Sequence, residues 1–331
     1  MIDSHIQWVY WPDPKAVTKK NDALKHFPYY GENANLIAYS KAYEARKAKY
    51  PDFKPSKEAI DTALEIDEKG YTIVKNYFSE KLIDSIAETT KNILNDPDHP
   101  ANKANINLEQ ARNTQLYTQV EQPLLAVDEF KKFAFDDFII DVAGAYLDCF
   151  PAFNGCNLRS SYVNNLPAGG NQIYHVDPNS PRYLKAFIYL NDVDIDGGPF
   201  CCVEGSHTKK FEVLGLPNHY GPYNWNNQYA WKEDHIHRIY GEDKVKYLTA
   251  KKGDLIFCDT NAWHRGFKPT KTERTMITLD YICHIPSHSP TSYFGIRKKD
   301  YESIDQKYKD LCDLLRILED KDCVPPYGIS K

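Results

Sequence analysis

The chain has 331 residues, 42% of them hydrophobic, and a formal net charge of −5, so it can bury the core of one large or two small domains and shows no basic footprint for nucleic acid. Its lysine-rich patches (Lys41 to Lys57, Lys298-Lys299) alternate with acids and aromatics and read as solvated surface. The eight cysteines lack C-x-x-C and regular spacing, as thiols in a reducing compartment do, and no stretch reads as a signal peptide or membrane span, so a cytoplasmic protein without a membrane partner is expected.

Residues 1–66 read as a helical collar, with helices near 34–49 and 56–68, the second capped by Ser56 and carrying Ala59, Ile60, Ala63 and Leu64 at helical spacing. Gly70 to Phe78 is β-branched and aromatic, as a strand should be, and runs into an amphipathic helix capped by Ser79. Asp96-Pro97 breaks that helix, the polar stretch 101–122 reads as a loop, and one helix is expected over 126–148.

From 156 onward short strands alternate with Gly, Pro and Asn turns. Strands are expected over 157–164, around His175, at Lys185–Leu190, at Phe200–Val203, at 245–249, at Asp254–Cys258 and at Arg274–Ile282. An aromatic insertion at 215–244 reads either as a substrate wall or as a loop stapled by its own rings. Residues 289–331 hold an expected C-terminal helix, 299–320, with Tyr308, Leu311, Leu314, Leu315 and Leu318 along one side. The pattern is mainly β with bracing helices, a sandwich or barrel over 67–288.

The chemistry centres on His175-Val176-Asp177. In an extended segment residues i and i+2 face the same way, so an imidazole and a carboxylate converge on one point. They supply two thirds of the two-histidine, one-carboxylate set that holds non-haem Fe(II). A third ligand should come from a distant strand, and His264, beyond the apolar run Leu255–Cys258, is the best candidate. Ten residues later stands Arg274, a planar guanidinium able to grip a carboxylate through two hydrogen bonds, as use of 2-oxoglutarate requires.

His235-Ile236-His237 is a rival metal pair if it forms a strand, and otherwise a solvated loop; it lacks an arginine partner. His207 reads as closing a turn, and His284 and His288 straddle Pro286 and share no helix face.

These motifs, with Gly70–Val74, Leu190-Asn191-Asp192, Gly197-Gly198-Pro199-Phe200, Glu204–His207 and Gly253-Asp254, resemble the phytanoyl-CoA dioxygenase (PhyH) superfamily of Fe(II)- and 2-oxoglutarate-dependent oxygenases, over about residues 70 to 285. The resemblance implies a double-stranded β-helix, the jelly-roll, cupin-like core. It implies that His175, Asp177 and His264 ligate Fe(II) and that Arg274 binds the distal carboxylate of 2-oxoglutarate. Phe187 or Tyr189 would wall that pocket, with Tyr162 a neighbour. It further implies O2 as oxidant, succinate and CO2 as products and a small-molecule substrate. Because Asp177 is present where halogenating members carry Gly or Ala, hydroxylation or another oxidation is expected. Two rivals are a non-catalytic jelly-roll module that holds a sugar or peptide, and a cupin-like metalloenzyme without 2-oxoglutarate. Arg274 speaks against both. No motif specifies the substrate or the oligomeric state.

Overall fold

The computed structural model describes residues 6–10, 41, 43–177, 182–213, 233–283 and 294–323. Residues 34–40 and 42 of the helix expected over 34–49, most of the aromatic insertion, His284 and His288 lie outside them.

At the N-terminal end of the described chain β1 (Ile6–Tyr10) is a strand where a helical collar was expected; it pairs with a later segment. Residues 43–49 are helical. Ser56 caps α1 (Lys57–Lys69) by accepting a hydrogen bond from the Ala59 amide, and Gly70 ends it in the left-handed conformation, φ 89°. The buried stripe of α1 is Ala59, Ala63 and Ile66, while Ile60 and Leu64 are 43% and 61% exposed. The expected face is thus rotated, because two alanines let the helix approach its neighbour closely and Ile66 completes their stripe. Next come β2 (Tyr71–Val74) and the Ser79-capped α2 (Glu80–Asn95).

The expected loop over 101–122 instead forms α3 (Leu108–Thr114) and β3 (Tyr117–Val120). Asn107 and Gln110 cap each other's backbone at the start of α3 in a reciprocal box. The single helix expected over 126–148 is divided. Two one-turn helices (Pro123–Ala126 and Lys131–Ala134) precede α4 (Asp137–Leu147), which starts after Asp136 because that extended residue caps the Ile139 amide and accepts from the Tyr77 hydroxyl.

The strands that follow are β4 (Ala152–Ser161), β5 (Leu184–Tyr189), β6 (Phe200–Val203) and β7 (Lys209–Val213), which pairs with β1. After α5 (Glu233–Tyr240) come β8 (Val245–Leu248), β9 (Leu255–Asp259), β10 (His264–Gly266), β11 (Arg274–Ile282) and β12 (Gly295–Arg297). The expected C-terminal helix is replaced by α6 (Lys298–Ser303), two short helical turns and β13 (Arg316–Leu318), which pairs parallel to β12. Helix is broken there because Ile304 is extended and Asp305 spends its carboxylate capping the Lys307 amide.

Two antiparallel sheets face each other: a major one in the order β2-β9-β5-β11-β4-β3 and a minor one in the order β10-β6-β8. This is the double-stranded β-helix. Alternation sorts each strand's residues by face. Phe187, Tyr189, Ile256, Cys258 and Met276 pack inward against Phe200, Cys202 and Leu248 of the minor sheet. Ala186, Ile188, Leu255, Phe257, Ile277 and Leu279 face outward, under α1, α2 and α4. The outer side of the minor sheet is closed by Ile236 of α5 packing with Tyr174, Val203 and Trp263. All eight cysteines are free thiols, and among the described residues no helix is long and apolar enough to cross a membrane.

Candidate active site

His175 lies in no extended strand. It forms a single antiparallel bridge with His264 in which each backbone amide donates to the other's carbonyl at 2.9 Å. The bridge appends His175 to β10 and sets the two imidazole centroids 4.2 Å apart. Asp177 is held two residues on by its own amide, which donates to the Thr260 carbonyl at 2.8 Å. One donor atom from each of His175, Asp177 and His264 falls within 4.8 Å of the others. His175 Nε2 is 3.9 Å from Asp177 Oδ1 and His264 Nε2 is 3.5 Å from Oδ2.

The tautomers follow from the backbone. His175 Nδ1 lies 2.7 Å from the Ile173 carbonyl and His264 Nδ1 lies 2.9 Å from the Ala262 carbonyl. A carbonyl only accepts, so both Nδ1 atoms carry the proton and both Nε2 lone pairs face the cluster. Burial, then the neighbouring His264, pushes the His175 pKa down to about 4, so its ring is neutral at pH 7. Burial alone would raise the Asp177 carboxyl, but Lys185, His264 and His175 outweigh it and hold the pKa well below the usual range. Two imidazoles and one carboxylate are the donors that borderline-hard Fe(II) takes, so the residues fit that metal.

Lys185 was missed in the sequence, although it is the one charged residue in the strand Leu184–Tyr189 and shares the inward parity of Phe187. Its ammonium lies 2.7 Å from Asp177 Oδ2 and 3.9 Å from Asp280 Oδ1 on β11. Asp280 is fixed by the Tyr183 hydroxyl, which donates to Oδ2 at 2.9 Å.

Arg274 opens β11 on the inward face and is 2% exposed. Its guanidinium makes two long hydrogen bonds, 3.4 Å to the Phe267 carbonyl and 3.4 Å to Ser161 Oγ, and its Nε has no hydrogen-bond partner. No carboxylate among the described residues pairs with it. Burial lowers its pKa to about 10, which leaves it cationic at neutrality. The sequence also hid Gly266. A Cβ there would meet Arg274 Nη2 at 2.9 Å, so the guanidinium occupies the space of the missing side chain. Gly266 pairs with Phe200 and His264 with Cys202, both residues of the inner core, so Gly266 is the next inward position after His264 on β10. Two residues of strand separate them by about 7 Å, roughly the length of a five-carbon dicarboxylate.

The remaining candidates divide. Phe187 packs on Phe200 at 4.3 Å between centroids, and Phe200 stacks on the His264 ring at 5.4 Å, so Phe187 stands one ring removed from His264. The Tyr189 hydroxyl donates to the Leu248 carbonyl and accepts from the Phe200 amide, so it ties the two sheets together and only its ring remains for the pocket. The structure does not bring Tyr162 to the site: it sits in the outer core, its hydroxyl bonded to Thr118. The rival pair 235–237 is neither strand nor loop but lies on α5, where i and i+2 diverge, and His237 is flanked by Glu233 and Glu242 at 3.7 Å. His207 sits where the chain turns after β6, as expected, with Nε2 2.9 Å from the Asp67 carbonyl.

A double-stranded β-helix with two histidines and one carboxylate at its mouth defines the class of non-haem iron oxygenases. The family model described as Phytanoyl-CoA dioxygenase (PhyH) matches residues 66–276, and the chain belongs to that superfamily of Fe(II)- and 2-oxoglutarate-dependent oxygenases. The fold is similar to EctD from S. alaskensis with bound Fe, at 18% identity and a TM-score of 0.52, covering 81% of this chain and 91% of that one. EctD with 2-oxoglutarate and 5-hydroxyectoine gives 18% identity, a TM-score of 0.50 and the same coverage, 81% and 91%. Among curated proteins none matches the sequence.

Proposed function

We propose that the protein is an Fe(II)- and 2-oxoglutarate-dependent dioxygenase that hydroxylates, or otherwise oxidises, an unactivated C–H bond of a small-molecule metabolite. The observation that carries this reading is a buried guanidinium, Arg274, with no carboxylate partner among the described residues, one inward position along β10 from His264. His175 Nε2, His264 Nε2 and an Asp177 oxygen would hold the iron from one side and leave the opposite positions open. When bound, iron supplies the redox chemistry by which O2 and 2-oxoglutarate become a substrate oxygen, succinate and CO2. Arg274 would grip the distal carboxylate of 2-oxoglutarate, with the Ser161 hydroxyl beside it. Phe187, Phe200 and the Tyr189 ring would exclude water between the two anchors. Since Asp177 occupies the third ligand position, oxygen transfer is favoured over halide transfer. The free thiols suit a reducing compartment, and we place the protein in the cytoplasm.

The test measures 2-oxoglutarate binding to the anaerobic Fe(II) protein and succinate release under air. Arg274→Ala should weaken 2-oxoglutarate binding by about 100-fold, the loss of a charge-assisted pair worth about 3 kcal/mol. His175→Ala should abolish iron uptake and turnover. Iron and 2-oxoglutarate binding that neither substitution changes would sink the reading.

A further inference from the structure

The mechanism leaves a second inward-facing guanidinium unused. Arg159 on β4 pairs in register with Met276 of β11 on one side and Gln119 of β3 on the other. Arg274 pairs with Ser161, so the two arginines are diagonal neighbours on one sheet face, and the like charge of Arg159 pulls down the Arg274 pKa. The Arg159 guanidinium lies over the Tyr117 ring at 4.2 Å and donates to Gln119 Oε1 at 3.3 Å, while its Nε is buried without a partner. No carboxylate among the described residues comes within ion-pair distance. Asp280 and Asp177 are near enough to act on its charge without touching it. A half-buried guanidinium on the inner face, with no ion-pair partner among the described residues, is available to an anion.

We propose that Arg159, with Gln119 and Tyr117, forms the subsite that anchors a carboxylate of the oxidised substrate, which makes that substrate an organic acid. The proposal rests on the oxygenase reading and deepens it. A five-carbon co-substrate stretched from the histidines to Arg274 has its two ends engaged. Arg159 instead leans away from that line, toward the edge strand β3, where Tyr117, Gln119 and the neighbouring Asn157 are half-buried. The free amide nitrogen of Gln119 stands beside the guanidinium as a further donor, since its oxygen already accepts from Arg159.

The test uses the full chain loaded with Ni(II) and saturated with N-oxalylglycine, the unreactive analogue of 2-oxoglutarate, and titrates benzoate and benzamide as probes by calorimetry. Wild type should bind benzoate saturably and at least ten-fold more tightly than benzamide. Arg159→Met should lose about ten-fold in benzoate affinity, and Arg159→Lys, which keeps the charge and loses the planar fork, should fall between. N-oxalylglycine affinity should be the same in all three proteins, which also certifies the fold of the variants. No saturable benzoate binding, equal binding of benzamide, or an Arg159→Met variant that binds benzoate as wild type does would overturn the proposal. A ten-fold loss of N-oxalylglycine affinity in Arg159→Met would overturn it in favour of a second contact to the co-substrate. Failure of the wild type to take up Ni(II) and N-oxalylglycine at all would instead count against the oxygenase reading.

Discussion

At the residue scale the site depends on one absent side chain and one ammonium. Gly266 leaves the space that Arg274 fills, so Gly266→Ala, whose Cβ would stand 2.9 Å from Nη2, should displace the guanidinium and not the backbone. We expect 2-oxoglutarate affinity to fall by about ten-fold with metal affinity unchanged, read by calorimetry on the Ni(II) protein. Lys185 counters two carboxylates, Asp177 and Asp280, in a place where water screens little. Lys185→Met should therefore destabilise the metal-free protein by roughly 3 kcal/mol, and bound divalent metal, which takes over part of the charge balance, should return part of that loss. Urea unfolding with and without Ni(II) checks it; equal stability of variant and wild type without metal would refute the role. His175, Asp177, His264 and Arg274 were legible in the sequence because their chemistry and spacing are unusual together. Lys185, Gly266 and Arg159 were not, because each acquires meaning only from the strand across from it and from the face it occupies.

At the element scale the helices were legible where a cap or a stripe stood out and illegible where two phases competed. Ser56 and Ser79 announced α1 and α2, but the choice between Ala59/Ala63 and Ile60/Leu64 as the buried face of α1 was settled by tertiary packing. Asn107 with Gln110 was a readable capping box in a stretch whose polarity suggested a loop. His207 donates Nε2–H to the Asp67 carbonyl, and its Nδ1 is buried without a partner, 2.8 Å from where a Gly70 Cβ would stand. Burial lowers its pKa below the ordinary histidine value although Asp259 and the Asp67 carbonyl raise it. Below about pH 6.5 the unfolded chain then binds a proton that the folded one refuses, so stability is fully present above that pH and falls as the pH drops. In urea unfolding at pH 7.5 and pH 5, His207→Gln should lose less stability on acidification than wild type; an identical pH dependence would exclude this contribution.

At the scale of the whole molecule, metal binding and folding are linked. The three donors come from a bridge segment and a strand that meet only in the assembled barrel, so a divalent cation binds the folded state alone. Ni(II) at about 100 times its dissociation constant should add about 2.7 kcal/mol, seen as a rise in Tm for wild type and none for His175→Ala.

Arg274, Met276, Thr278 and Asp280 point into the barrel, and Ile277 and Leu279 point under the helices. A slip of one residue against β5 would exchange the two sets, sending the charges into oil and the oil into the pocket. Reactivity and cohesion are thus inherited through a single alignment, and no half-aligned chain retains one without the other. A stressed preparation should accordingly behave as a mixture of whole enzymes and inert chains, and counting tightly held metal ions would count the former.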